Sequence, residues 1–147
     1  EKYGEEQVKI WRRSFSTKPP VLDPNDDRSA KKSPAYRDVD PALLPDCESL
    51  ETTIERAVPY FNEVIRPEME AGKRVIIAAH GNSLRALVKY FDNISEEDII
   101  GVNIPTGTPL VYEFDDSFKP VRHYYLGDQE ALKKKMEAVA NQGKKQA

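Results

Sequence analysis

The run Val75-Ile76-Ile77-Ala78-Ala79, leading into His80-Gly81-Asn82-Ser83-Leu84, constrains this chain more than any other segment. Five apolar residues without polar alternation predict a strand covered on both faces, the kind found in parallel sheets. Beyond it Leu84, Leu87, Val88 and Phe91 fall at i, i+3, i+4 and i+7, one face of an α-helix, with Asn82 or Ser83 available to cap its first turn. A histidine at such a strand-to-helix junction predicts a site, because ligands of open α/β sheets gather just beyond the carboxyl ends of strands. Gly81 lets a ligand approach the backbone closely. The free amides of the helix start attract anions, phosphate above all.

At 147 residues and 39% hydrophobic content the chain is long enough for one domain with a sizeable core. Its formal charge of −3 lacks the basic excess that bulk nucleic-acid binding needs, so no nucleic-acid partner is expected. No apolar run is long enough to span a bilayer and no signal-peptide pattern is visible, so no membrane partner is expected either. The single cysteine, Cys47, rules out an internal disulfide and makes a cytoplasmic location the default. It lies in Pro-Asp-Cys-Glu with no partner residue nearby in sequence, and reads as an ordinary thiol. The chain opens on Glu1 rather than Met, already inside a charged amphipathic segment, and reads as the continuation of a longer polypeptide.

Glu5 to Phe15 has helical character, with Val8, Trp11 and Phe15 on one face and Arg12 and Arg13 pointing away from one another. Residues 16–45 are rich in Pro, Asp, Lys and Ser and carry no periodicity, which predicts a long loop, disordered or functional. Asp46 is a plausible cap for a helical stripe of Leu50, Ile54, Ala57, Val58, Phe61 and Ile65 that runs to about Glu70, with a kink expected at Pro59 and a second interruption near Pro67. A short helix is expected from Ser95 to Ile100, then a turn-rich loop over Ile104-Pro105-Thr106-Gly107-Thr108-Pro109. Leu110 to Phe114 and Val121 to Leu126 read as two strands of a hairpin. Residues 127–147 form a weak helix with a mobile, lysine-rich end. Arg85 and Lys89 are expected to face solvent or to form local salt bridges, and Lys133-Lys134-Lys135 reads as a solvated helix face.

Several strings together carry a family resemblance: Tyr3-Gly4-Glu5-Glu6-Gln7-Val8 with Trp11-Arg12-Arg13, then Glu48-Ser49-Leu50, Ala78-Ala79-His80-Gly81-Asn82-Ser83-Leu84-Arg85, Asn103-Ile104-Pro105-Thr106-Gly107 and Tyr124-Tyr125-Leu126-Gly127. In this order they resemble the C-terminal part of the cofactor-dependent phosphoglycerate mutases, within the histidine phosphatase superfamily. The resemblance implies an α/β fold, the C-terminal part of a three-layer α/β/α architecture with a mostly parallel central sheet, and residues 1–147 as one portion of a single domain. It also implies interconversion of 3-phosphoglycerate and 2-phosphoglycerate in glycolysis and gluconeogenesis, through a phosphohistidine, primed by 2,3-bisphosphoglycerate and without a metal. Small-molecule phosphoglycerates are then the partners, and a homodimer or homotetramer is the expected full-length assembly.

By the same resemblance His80 is the catalytic histidine that contacts the transferring phosphoryl group. Arg12 and Arg13 hold the substrate's carboxylate and phosphate, a task suited to the guanidinium fork, and Gly81 and Asn82 complete the binding set. Phosphoryl transfer depends mainly on positioning and electrostatic stabilisation, which an imidazolium at His80, amides and arginines can supply. The Arg-His-Gly motif that carries the family's phosphoryl acceptor does not occur among these residues, so the chain alone is expected to be inactive. His123 lies in a strand pattern and reads as structural or surface. Two alternatives stand beside the mutase: a phosphatase of the same superfamily, and an inactive anion-binding fragment.

Overall fold

The computed structural model of the chain describes residues 2–23 and 25–141. Helix α1 spans Glu5–Arg13, with Glu5 and Glu6 in its first turn and Arg12 and Arg13 in its last, charges that suit both ends of the helix dipole. It buries no residue fully. Trp11 packs edge-on against Tyr3, ring centres 4.9 Å apart. The helix stops two residues short of Phe15, because Ser14 is extended, and Phe15 then packs against the core as loop rather than helix.

The described residues of 16–45 contain no α-helix or strand, yet local caps pin them at three points. Short 3-10 turns at Ala30–Lys32, Pro34–Tyr36 and Pro41–Leu43 are each capped by a side-chain oxygen, from Ser29, Ser33 and Asp40. Lys31 pairs with Asp46 at 2.7 Å. Asp46 is therefore not the cap of the next helix. That cap is Ser49, whose Oγ accepts from the Thr52 amide at 3.2 Å while Thr52 Oγ1 accepts from the Ser49 amide at 3.0 Å. This reciprocal box outcompetes Asp46, which stands three residues too early to reach the orphan amides.

Helix α2 spans Leu50–Tyr60 and contains Pro59; a π turn over Phe61–Ile65 follows, and α3 over Arg66–Glu70 completes a continuous helical segment. Both prolines lack an amide to donate, and the wider turn between them absorbs the lost register without a break. Helix α4 spans Gly81–Asp92 and buries Arg85, Ala86, Leu87 and Val88. The α2 and α4 helices pack against one another, and Leu50, Ala86 and Ile99 form the fully covered core between them, with Phe15, Ile54, Ala57, Ile94 and Val102 around it. The helix expected at Ser95–Ile100 is a single 3-10 turn at Asp98–Gly101, because the Ser95 hydroxyl takes the Asp98 amide and closes a tight turn.

Strands β1, Leu110–Phe114, and β2, Pro120–Tyr125, pair antiparallel, with Leu110 opposite Tyr125 and a bulge between Glu113 and Phe114. Phe91 of α4 seats the hairpin, with ring centres 5.0 Å from Tyr112 and 5.3 Å from Phe114. Helix α5, Gln129–Ala140, is capped by Asp128. The end of the tail beyond Asn141 lies outside the described residues.

The expected strand Val75–Ala79 is the main correction. Residues 73–80 form no ladder, and Ile76 is 94% exposed. A strand that is apolar on both faces is held by neighbours on both edges, and the only strands among the described residues, β1 and β2, satisfy each other. The chain is an α/β protein whose described sheet is this antiparallel pair, with the segment marked for a central parallel strand left uncovered.

Candidate functional site

Helix α4 starts at Gly81 because His80, extended at φ −61° and ψ 147°, acts as its cap. Its Nδ1 accepts from the Asn82 amide at 3.3 Å, so the histidine, rather than Asn82 or Ser83, closes the first turn. The contact also defines the ring chemically. With Nδ1 accepting from the backbone, Nε2 is the ring nitrogen left to donate to a ligand.

A pocket of about 250 Å³ lies against this helix start. Arg12 from α1 and His80 and Asn82 from α4 line it together, although nearly 70 residues separate the two elements. Of the other residues marked from sequence, Arg13 and Gly81 are not in its lining. Arg13 Nη2 instead donates to the Val139 carbonyl at 2.7 Å, tying α1 to α5. Its guanidinium is pushed below the usual arginine range by burial, and further by the like charge of Arg12.

The lining includes residues that sequence reasoning did not select: Trp11, Ser14, Glu48, Ser49, Arg56 and Arg85 among them. Glu48 and Arg56 form a two-bond pair at 2.5 and 2.8 Å, and hydrogen bonding to Glu48 raises the Arg56 pKa. No helical spacing signals this pair, since Glu48 lies outside α2 and eight residues from Arg56. Its consequence is electrostatic: the one carboxylate in the lining is neutralised, so Arg12 and Arg85 leave the lining net positive.

Arg85 is the sharpest departure from expectation. It is 3% exposed rather than solvent-facing, and burial, followed by the charge of Arg13, lowers its pKa to about 10. The guanidinium therefore stays charged at neutral pH. Its Nη1 and Nη2 donate to backbone carbonyls and to Asn82, while Nε is buried without a hydrogen-bond partner among the described residues, as is Ser14 Oγ. The signal for its burial was present, because Arg85 lies at i−3 from Val88, on the edge of the apolar stripe. His123 stands apart from the pocket, its Nδ1 3.0 Å from Asp92, which also accepts from Tyr112 Oη at 2.9 Å. Among the described residues no cluster of His, Cys, Asp and Glu is arranged to hold a metal ion, and no helix is long and apolar enough to cross a membrane.

His80 at the start of α4 lines one pocket with Arg12, Arg56 and Arg85 in an α/β chain, and sequence comparison gives the class to which such a chain belongs. Residues 23–126 match the histidine phosphatase superfamily (branch 1), and the chain belongs to that superfamily. More narrowly, it is similar to a 2,3-bisphosphoglycerate-dependent phosphoglycerate mutase of Treponema denticola, 61% identical over 145 residues. The aligned region covers 99% of this chain and 59% of that relative, so the chain spans less than two thirds of the relative's length. The superfamily match includes His80, Asn82 and Arg85, while Arg12 and Arg13 fall within the longer alignment alone.

Proposed function

We propose that this chain supplies the later part of a phosphoglycerate mutase active site, which interconverts 3-phosphoglycerate and 2-phosphoglycerate through a phosphohistidine. The observation that carries the reading is the meeting of Arg12 with His80 and Asn82 in one pocket at the start of α4. Similarity to the Treponema denticola mutase supports the choice of substrate. The phosphoryl acceptor histidine is then contributed from outside these 147 residues, since no Arg-His-Gly occurs in them, and the chain by itself has no turnover. The same reading places the enzyme in glycolysis and gluconeogenesis, in the cytoplasm, as a homodimer or homotetramer.

The geometry supports a role for each residue. His80, held by the Asn82 amide at Nδ1, directs an Nε2 donor at an equatorial oxygen of the transferring phosphoryl group. The amides of the first turn of α4 add to the same oxyanion charge. Arg12 clamps the substrate's far anion, and the Arg56 pair keeps Glu48 from repelling it. A bisphosphorylated three-carbon acid suits this lining, to which Arg12 and Arg56 bring guanidinium groups and Ser14 a hydroxyl without a hydrogen-bond partner among the described residues. When bound, 2,3-bisphosphoglycerate supplies the priming phosphoryl group.

The test is phosphorus NMR of the complete polypeptide incubated with 3-phosphoglycerate and a trace of 2,3-bisphosphoglycerate. Appearance of 2-phosphoglycerate is the expected result. Release of inorganic phosphate alone assigns the phosphatase activity of the superfamily instead, and an unchanged spectrum overturns the reading.

A further inference from the structure

The Arg85 guanidinium joins three segments of the chain. Its Nη2 donates to the carbonyl of Ile99 at 2.7 Å and to that of Arg13 at 3.2 Å, and its Nη1 donates to the carbonyl of Arg12 at 3.3 Å. Nη1 also reaches Asn82 Oδ1 at 3.4 Å. The first acceptor belongs to the 3-10 turn at Asp98–Gly101, the next two are the last carbonyls of α1, and the fourth is in the first turn of α4.

Those α1 carbonyls are end groups with no partner inside the helix, and they carry the negative end of its dipole. A buried cation donating to both is a C-terminal cap supplied from another helix. The need for one is plain, because α1 buries no residue fully and has little apolar surface with which to fix its own end. Arg85 itself stands five residues after His80 on the same helix. One planar group therefore sets the distance between the end of α1, where Arg12 is, and the start of α4, where His80 is.

We infer that Arg85 is a positioning residue that holds the substrate-binding Arg12 in register with His80 through the backbone carbonyls of Arg12 and Arg13. The inference rests on the mutase reading for its substrate. Lysine cannot replace it, since a single ammonium on a flexible stem cannot span carbonyls on α1 and on the 3-10 turn at once. Loss of the link leaves the chemistry at His80 in place and lets the Arg12 end of α1 drift, so substrate capture suffers more than turnover.

The experiment is a double-mutant cycle in the complete polypeptide, combining Arg85→Gln with Arg12→Ala and reading KM, kcat and equilibrium binding of 3-phosphoglycerate. Arg85→Lys is carried in parallel, so that the cycle can be completed with it if the glutamine variant does not fold. Arg85→Gln or Arg85→Lys in the otherwise native protein is expected to raise KM and Kd roughly tenfold, with kcat changed less than about threefold, in keeping with the loss of a charge-assisted network. On the Arg12→Ala background the same substitution is expected to change KM less than about twofold, because the group it positions is gone. Equal effects on both backgrounds, or a loss confined to kcat, overturn the positioning role and leave the mutase reading intact. Absence of both turnover and 3-phosphoglycerate binding in the native protein overturns the mutase reading and the inference with it.

Discussion

Replacing Ile99 with alanine separates the stability of this fold from its ligand chemistry. The Ile99 side chain is 0% exposed and packs with Leu50 and Ala86 in the buried core cluster. Alanine removes three carbons. At about 0.8 kcal/mol for each buried methylene the transfer loss is about 2.4 kcal/mol. The cavity left between α2 and α4 raises this to about 3–4 kcal/mol, since such sites relax only in part. With a urea m-value of about 2 kcal/mol/M, the unfolding midpoint should fall by about 1.5–2 M, read by circular dichroism. Ile99→Val should cost only about 1 kcal/mol. The Ile99 carbonyl that accepts from Arg85 is backbone and survives both changes, so 3-phosphoglycerate binding measured well below the new midpoint should stay within about twofold of native, as expected for a change that keeps the polar contact. A midpoint shift below about 0.5 M, equivalent to about 1 kcal/mol, would refute the placement of the core.

Two further predictions rest on single contacts. Ser49→Ala removes the acceptor for the Thr52 amide and should cost about 1 kcal/mol in chemical denaturation, while Asp46→Ala should cost less than about 0.5 kcal/mol; the reverse order would return the cap to Asp46. Tyr112, whose pKa is raised first by burial and then by its hydrogen bond to Asp92, should be among the last of the 7 tyrosines to ionise in an ultraviolet titration. Since the folded state keeps that proton where the unfolded chain releases it, this contribution to stability is fully present below about pH 10 and is lost as pH rises further. Tyr112→Phe should flatten that part of the decline, and an unchanged slope would count against the assignment.

What could be read from the sequence was what is local. The apolar stripe of α4, the hairpin and the turn-rich loop before it depend on spacing and turn chemistry, and they stand where the pattern put them. The junction histidine was legible for the same reason, although its role as the cap of α4 was not, because a ring nitrogen is an uncommon cap acceptor. Val75–Ala79 shows the limit. Its composition correctly marks a segment suited to burial, but burial is a property of neighbours, and no described strand lies beside it. The contacts of Arg85 and of the Glu48–Arg56 pair were missed because their partners are backbone carbonyls or residues outside a common helix, which no periodicity encodes, although spacing did mark Arg85 as lying at the edge of the apolar stripe. Arg12 and Arg13 were selected as a pair, yet the fold divides them: the first lines the pocket and the second binds the Val139 carbonyl.

The central claim is that His80 at the start of α4 stabilises a phosphoryl group in transfer, and its most direct test is the kcat of His80→Ala in the complete polypeptide with 3-phosphoglycerate and 2,3-bisphosphoglycerate. The account predicts a fall of about 10²–10³-fold, the usual loss when a preorganised donor to developing charge is removed, with the urea midpoint lowered by only about 0.5 M, the equivalent of about 1 kcal/mol for the lost cap of α4. A kcat near the native value would contradict it.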